Sequence, residues 1–184
     1  MGIDLKAYNS IDMTRKYIFD LDDTLYPPVK MQSPWLQNSM LSTGWGVSPG
    51  FYEHIQPDPE LTDLLRKLGN TYIFTNASKG HMIACLQRMN AMHCFKRVIY
   101  NDLYKGTYKP MSFPYLLANH VFELSGDVVY FFEDSLPNLK TAKQLGWNTI
   151  FIDHAGAMNA SNKPPFVDAV FTDIKSAVRA VSNI

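Results

Sequence analysis

The stretch YIFDLDDTLY, residues 17–26, decides the fold because an apolar segment runs directly into three acids. Its apolar start predicts a buried strand over about Tyr17–Leu21. Asp20 and Asp22 are two residues apart, so on an extended strand their side chains lie on the same side. Because burial of unpaired carboxylates is costly, we expect both at the strand's carboxyl end, in the crevice where open α/β sheets bind ligands. The alternative is a turn capped by Asp22 or Asp23.

Composition and charge limit the class of protein. With 184 residues, 46% of them hydrophobic, the chain has enough apolar side chains for one folded domain, and we expect a single domain over residues 1–184. Seventeen lysines and arginines balance seventeen aspartates and glutamates. A net charge of zero argues against nucleic acid or a membrane surface as the main partner.

No feature of the sequence predicts export or membrane insertion. Residues 1–6 lack the apolar core of a signal peptide, and Lys6 stands where a myristoylation signal needs serine or threonine. No apolar stretch approaches membrane-spanning length. Cys85 and Cys94 show neither metal-ligand spacing nor a disulfide framework, which predicts free buried thiols. We expect a cytoplasmic protein.

Strands and helices alternate along the rest of the chain. Apolar runs predict strands at Thr71–Phe74, Arg97–Tyr100, Val128–Phe132, Thr149–Ile152 and Ala169–Phe171. Helical spacing with caps and first-turn prolines predicts helices at Pro59–Leu68, Lys79–Met89, Ser112–Glu123, Leu136–Leu145 and Ile174–Val181. This alternation predicts an α/β fold with a parallel, doubly wound, Rossmann-like sheet.

Polar side chains follow three more strands. Thr75 and Asn76 come after the second strand, at the start of a helix whose N–H groups suit an anion. Lys109 follows the third strand, and Glu133 and Asp134 end the fourth. Each group alone has a structural explanation, namely helix capping or an exposed lysine. Together, these segments bring three kinds of group to one sheet edge: acids that suit a hard cation, an ammonium group, and free N–H groups. This combination indicates phosphoryl transfer.

These segments resemble, in order, the four motifs of the haloacid dehalogenase (HAD) superfamily. DLDDT at residues 20–24 resembles the first motif, DxDxT. Thr75-Asn76, Lys109-Pro110 and Glu133-Asp134-Ser135 resemble the second, third and fourth. The resemblance covers about residues 15–155, and DLDDTLYPP and FFEDSLPNL are similar to the pyrimidine 5′-nucleotidase branch.

The resemblance implies a phosphatase with an aspartyl-phosphate intermediate. Asp20 would be the nucleophile, and Asp22 would protonate the leaving oxygen and then activate water. Thr75 and the backbone of Asn76 would hold the phosphoryl oxygens. Lys109 would offset charge between the nucleophile and the phosphate.

The resemblance also implies Mg²⁺ as the cofactor. Asp134 would bind the ion together with Asp20 and the backbone carbonyl of Asp22, and Glu133 would support the metal through water. The nucleotidase branch usually has two aspartates in its fourth motif, so Glu133 is a departure whose longer side chain suits a water-mediated contact.

The segment at about residues 27–57 occupies the position of the family's helical cap. It is rich in proline and glycine and has room for one short helix near Trp35–Leu41, so we expect a reduced cap and an open site. Such a site suits a bulky substrate or a second copy of the chain that supplies a cap. Five ring side chains of this segment would either stack on a nucleobase or fill a small core under the loop: Trp35, Trp45, Phe51, Tyr52 and His54. Tyr26 and Tyr104 would either border the site mouth or lie in the core. The five histidines form no cluster in the sequence, and we expect none as a metal ligand.

Three functional hypotheses follow from these patterns. The first is a Mg²⁺-dependent phosphatase on a small phosphorylated metabolite such as a nucleoside monophosphate. The second is a phosphatase on a macromolecule, a phosphoprotein or a nucleic-acid end, reached through an open site. The third is a non-catalytic binding module, against which the intact set of acids and lysine argues.

Overall fold

Six parallel strands form the centre of the protein, for which the computed structural model describes residues 14–28 and 49–182. The strands are β1 (Arg15–Phe19), β2 (Thr71–Phe74), β3 (Arg97–Ile99), β4 (Val128–Glu133), β5 (Asn148–Ile152) and β6 (Ala169–Phe171). Their order in the sheet is β3-β2-β1-β4-β5-β6, and every neighbouring pair is parallel. The predicted doubly wound α/β fold is confirmed.

In the described part of the chain, four α-helices lie between strands and a fifth follows the last strand. They are α1 (Pro59–Leu68), α2 (Lys79–Arg88), α3 (Ser112–Val121), α4 (Leu136–Gln144) and α5 (Ile174–Ser182). Short 3₁₀ helices span Pro49–His54, Met92–Cys94 and Asn101–Leu103. The strands and helices predicted within the described residues are all present, and their ends differ from the predictions by at most two residues. No helix within residues 14–28 and 49–182 is long and apolar enough to cross a membrane.

The end of β1 corrects one prediction. The strand ends at Phe19 and does not reach Leu21. The Asp20 amide still donates to Phe132 O at 2.9 Å, after which the chain turns and Leu25 N bonds Leu21 O at 3.0 Å. Asp22 therefore lies in a turn, so strand alternation does not place its side chain beside that of Asp20.

The sheet is buried on both faces, as expected for parallel strands covered by helices. Phe19 packs into one core layer with the apolar faces of α1, α2 and α5, while its neighbour Ile18 packs into the other with α3 and α4. In the first layer the Phe19 and Phe132 rings stack 4.5 Å apart. Both cysteines are buried and free, which confirms that prediction.

The order of the strands places a crevice between β1 and β4. The chain leaves β1 toward β2 on one side and leaves β4 toward β5 on the other, so these two adjacent strands form the topological switch point. Ligands of open α/β sheets bind outside the carboxyl ends of the strands at such a point. Asp20 follows β1 directly, and Glu133 is the last residue of β4. The two acidic segments therefore meet at this crevice.

Part of the predicted cap lies outside the described residues. This applies to residues 29–48, which include the predicted helix near Trp35–Leu41 and Trp45. Within the described part, Phe51 is buried and its ring lies 5.5 Å from that of His81. Tyr104 is also fully buried.

Helix α1 shows how local signals fix an element. The Asp58 carboxylate accepts the Leu61 amide at 3.0 Å as the N-cap, Pro59 opens the first turn, and Gly69 ends the helix at φ 74°. Glycine adopts such a positive φ without steric cost. Asp58 also pairs with Lys175 of α5 at 2.9 Å, which joins the two helices at the surface.

Replacement of the α1 N-cap tests this assignment. Asp58→Ala is expected to lower the free energy of unfolding by about 1 kcal/mol, because it removes the cap. Asp58→Asn retains a capping side chain and loses only the half-exposed pair with Lys175, so a loss below about 0.5 kcal/mol is expected. Urea denaturation measures both. Equal losses in the two variants would contradict the capping role.

Candidate active site

A buried lysine lies at the centre of the crevice. Lys109 is 3% exposed, and its ammonium group donates to Asp20 Oδ1 at 2.7 Å, to Glu133 Oε2 at 2.8 Å and to Phe74 O at 2.8 Å. The three acceptors come from the ends of β1, β4 and β2. All three ammonium protons are therefore used, which holds the lysine in one position between the two acids.

The side chain of Asn76 positions this lysine. Its amide donates to Lys109 O at 3.0 Å, and its carbonyl oxygen accepts Lys109 N at 2.8 Å. This pair of hydrogen bonds ties the loop that carries Lys109 to the end of β2. The Asn76 side chain is thus not the cap of α2; Ser78 caps that helix through the amide of His81.

The Glu133 carboxylate is held by hydrogen-bond donors from α4 and from the residue just before that helix. Asn138 Nδ2 donates to Glu133 Oε2 at 3.0 Å, and Ser135 N donates to Oε1 at 3.1 Å. Together with Lys109, these donors satisfy both carboxylate oxygens of a side chain that is only 1% exposed. Ser135 makes no side-chain cap bond to α4, so the capping alternative for its hydroxyl is wrong.

Three acids converge beside the lysine. Carboxylate oxygens of Asp20, Glu133 and Asp134 lie within 4.8 Å of one another. The Thr24 hydroxyl lies between two of them, 3.5 Å from Asp20 Oδ2 and 3.3 Å from Asp134 Oδ1. Oxygen ligands at this spacing suit a hard divalent cation such as Mg²⁺.

The charges of this group do not balance. Burial, followed by the nearby Glu133, raises the pKa of Asp20 to about 8 despite Lys109. Burial also raises the pKa of Glu133 to about 7 and that of Asp134 to about 6. Burial alone would lower the pKa of Lys109, but Asp20 and Glu133 outweigh it and raise that pKa. Three acids face one ammonium, so the pocket fits a further cation.

Asp22 belongs to a second group of side chains. His81 Nε2 donates to Asp22 Oδ1 at 2.7 Å, and the Tyr26 hydroxyl donates to the same oxygen. The His81 ring also contacts the buried Cys85 thiol at 3.4 Å and the Tyr52 hydroxyl at 3.1 Å. Burial lowers the pKa of His81, but the hydrogen bonds with Asp22 and Cys85 outweigh it and raise the pKa to about 11.

Thr75 lies at the end of β2, as expected. Its hydroxyl accepts the Ala77 amide at 3.0 Å, and its carbonyl accepts the buried Tyr104 hydroxyl at 2.6 Å. Its contact with a phosphoryl group, like that of the Asn76 backbone, stays a prediction.

Sequence reasoning missed His81, Asn138 and the contact of Tyr26 with Asp22. The available signals were spacings of four residues, Asp22 to Tyr26 and His81 to Cys85, which bring side chains together within a turn or on one helix face. Nothing local joins these two pairs, because 59 residues separate Asp22 from His81.

Comparisons with known proteins show the family and the fold of the chain. Residues 47–152 match the family described as haloacid dehalogenase-like hydrolase. No curated protein sequence matches the chain at a significant level.

Solved structures share the fold. The L-2-haloacid dehalogenase of Xanthobacter autotrophicus is similar with a TM-score of 0.67 and 16% identity, over 94% of this chain and 100% of that one. A putative HAD-hydrolase of Bacillus subtilis bound to magnesium has a TM-score of 0.63 and 15% identity, over 94% and 100%. A haloacid dehalogenase-like hydrolase of Streptococcus pneumoniae has a TM-score of 0.60 and 15% identity, over 92% and 99%.

Removal of the central lysine tests the electrostatics of the pocket. Lys109→Met leaves two buried carboxylates without their cation, so the free energy of unfolding at pH 8 is expected to fall by about 3–5 kcal/mol. The raised acid pKa values mean that the folded state without metal binds more protons than the unfolded state between about pH 4 and 8, so its stability falls as pH rises through this window. At pH 5 the buried acids take up protons and need no cation. The loss of unfolding free energy in Lys109→Met should therefore be smaller at pH 5 than at pH 8.

The matched control for this test is Lys143→Met. Lys143 pairs with Asp168 at the surface, where its side chain is 37% exposed, so its removal is expected to cost less than about 1 kcal/mol at either pH. Denaturation in urea at the two pH values, with metal chelated, measures both variants. A Lys109→Met loss that does not depend on pH would contradict the ion-pair account.

Proposed function

The chain belongs to the haloacid dehalogenase-like hydrolase family, and we propose that it is a phosphomonoesterase of that family. The contact that carries the proposal is the 2.7 Å bond between Lys109 and Asp20 Oδ1. It fixes the Asp20 carboxylate at the crevice, while Oδ2 accepts a long hydrogen bond from the Thr24 hydroxyl at 3.5 Å. Oδ2 would attack phosphorus to form an aspartyl-phosphate, and water would then release inorganic phosphate.

Mg²⁺ is the cofactor that the donor set favours. Asp20 and Asp134, with the backbone carbonyl of Asp22, would hold the ion. Glu133 would support it through water, while its Oε2 accepts a hydrogen bond from Lys109. When bound, Mg²⁺ offsets the repulsion between an anionic carboxylate and an anionic phosphate. The excess of acids over cations in the pocket supports this assignment, and a structural neighbour is described as bound to magnesium.

Asp22 favours a phosphate ester over a 2-haloacid as substrate. An alcohol leaves phosphorus as a poor alkoxide unless an acid protonates it, whereas a halide leaves as a stable anion without a proton. Asp22 would supply that proton and later activate water. His81 and Tyr26 hold its carboxylate by hydrogen bonds, and the side chain is 39% exposed, which supports a role at the mouth of the site.

The substrate would be a small phosphorylated metabolite such as a nucleoside monophosphate. The similarity of residues 20–28 to the pyrimidine 5′-nucleotidase branch supports this class. Because the segment at residues 27–57 is short for a cap, a phosphoprotein or nucleic-acid end is the alternative substrate. A second copy of the chain would be another source of a cap. A cytoplasmic location belongs to the same proposal, supported by two free thiols.

Loss of the nucleophile is the first test. Asp20→Asn is expected to reduce phosphate release to below about a thousandth of the wild-type rate, and chelation of Mg²⁺ to do the same, since both remove the attacking carboxylate or its charge compensation. Nucleoside monophosphates, sugar phosphates, phosphopeptides and 2-haloacids serve as parallel substrates. The matched control is Asp63→Asn, which changes an exposed acid of α1 and should leave the rate unchanged.

Each outcome of this screen is informative. Preference for pyrimidine monophosphates supports the small-metabolite proposal, and release from phosphopeptides alone supports the alternative. Halide release without phosphate release would refute the phosphatase. Full phosphate release by Asp20→Asn would refute the role of Asp20 as the nucleophile.

The role of Asp22 as a general acid is tested with two esters whose leaving groups differ. Asp22→Asn is expected to lower kcat by about 100-fold to 10,000-fold for an alkyl phosphate, whose leaving group needs a proton. The loss should be much smaller for p-nitrophenyl phosphate, whose leaving group is stable as an anion. Steady-state kinetics on both esters gives the ratio. Equal losses on the two esters would argue against general acid catalysis by Asp22.

A further inference from the structure

Next to the acids around Lys109 lies a second set of metal-ligating atoms. One carboxylate oxygen of Asp22, a ring nitrogen of His81 and the thiol of Cys85 lie within 4.8 Å of one another. We propose that Asp22, His81 and Cys85 form a binding site for Zn²⁺, distinct from the oxygen site, and that Zn²⁺ bound there inhibits the enzyme. The inhibition rests on the proposed function, because it acts through Asp22, whereas the binding does not.

The chemistry of the donors selects the ion. A thiolate, an imidazole and a carboxylate are typical ligands of Zn²⁺ and a poor set for Mg²⁺, which takes oxygen ligands. His81 and Cys85 are four residues apart on α2, so they project from the same helix face. Asp22 approaches from the turn after β1. One helix and one loop therefore supply three ligands, and solvent or substrate is left for a fourth position.

Two of the three distances between the donors can be compared with those of a zinc site, and the third, from Asp22 to Cys85, is at most 4.8 Å. Bonds of about 2.0–2.3 Å from zinc to N, O and S place tetrahedral ligands about 3.3–3.7 Å apart. His81 Nε2 and Cys85 Sγ are 3.4 Å apart, which already fits. Asp22 Oδ1 and His81 Nε2 are 2.7 Å apart, as a hydrogen bond requires, and would separate by about half an ångström when the ion replaces the shared proton.

A hydrogen bond from outside the site orients the imidazole. The Tyr52 hydroxyl contacts His81 Nδ1 at 3.1 Å, which leaves Nε2 directed at Asp22 and Cys85. Metal-binding histidines in proteins use their second nitrogen in this way. The Tyr26 hydroxyl lies 3.6 Å from Cys85 Sγ and also contacts Asp22, so it borders the fourth position.

The burial of the three ligands provides a route for the ion. Cys85 is fully buried at the base of the site, the His81 side chain is 14% exposed, and Asp22 at the mouth is 39% exposed. Zn²⁺ would enter past Asp22 from the same crevice that admits substrate. On binding, the Cys85 thiol proton and the proton between His81 and Asp22 pass to buffer, and the Asp22 carboxylate coordinates zinc. It then no longer protonates a leaving group.

Cobalt absorption tests the site without any activity measurement. Co²⁺ is titrated into the full chain, with Mg²⁺ in excess to occupy the oxygen site. A thiolate-to-cobalt charge-transfer band is expected at one equivalent, and Zn²⁺ should displace it. Cys85→Ser should remove the band, and His81→Gln should weaken Zn²⁺ binding by at least about 100-fold, because a ligand is lost.

The chain contains its own control. Cys94 is also buried and free, but its thiol lies 3.7 Å from Thr62 O, away from Asp22 and His81. Cys94→Ser should keep the full band and the same Zn²⁺ affinity as wild type. Circular dichroism of each variant shows that it is folded, and His81→Gln keeps the site testable if Cys85→Ser does not fold.

Inhibition is measured separately. Micromolar Zn²⁺ should lower phosphate release in wild type and Cys94→Ser, and Cys85→Ser should keep its own zinc-free rate at the same concentration. A thiolate-to-cobalt charge-transfer band without inhibition would overturn only the proposal that Zn²⁺ inhibits the enzyme. The absence of a charge-transfer band in wild type, or its persistence in Cys85→Ser, would overturn the zinc site even if the protein is an active phosphatase. A band in a protein without phosphatase activity would instead overturn the proposed function.

Discussion

The ammonium group of Lys109, shared between Asp20 and Glu133, is the interaction on which the site depends. A buried lysine with two acids is stable only if the geometry satisfies every proton, and here the third proton is taken by Phe74 O. The ends of three strands are joined by this one group. The same contact that keeps the acids folded into the crevice also holds Asp20 in place for chemistry.

The topology explains why these groups meet. Parallel strands place their carboxyl ends at one edge, and the reversal of strand order between β1 and β4 opens a crevice there. The acids after β1 and at the end of β4 face each other across it, and Asn76 after β2 brings in the loop that carries Lys109. An excess of negative charge remains, and it supports a cation at the oxygen site. His81 and Cys85 place a nitrogen and a sulfur beside Asp22, and these are softer metal ligands than carboxylate oxygens.

The sequence predicted most of the fold because its signals are local. Helix α1 has a capping aspartate, a first-turn proline and a terminal glycine, and its predicted and observed bounds agree at Pro59–Leu68. The turn after β1 was not predictable by alternation, since the strand ends one residue before Asp20. The family resemblance indicated the acids and the lysine, which the structure brings together.

The contacts around Asp22 could not be derived in this way. His81 on α2 and Asp22 in the turn after β1 are 59 residues apart, and they meet only in the folded chain. Similarly, the pairing of Asn138 with Glu133 depends on how α4 starts after β4. Such contacts follow from tertiary packing, and no spacing rule predicts them.

Chemical trapping of the covalent intermediate tests the central claim most directly. The enzyme is mixed with substrate and Mg²⁺ and quenched with borohydride, which reduces an acyl phosphate to an alcohol, and the peptides are sequenced by mass spectrometry. The account predicts homoserine at position 20, formed only in the presence of substrate. Phosphate release with an unmodified Asp20, or with the reduced residue at another position, would contradict it.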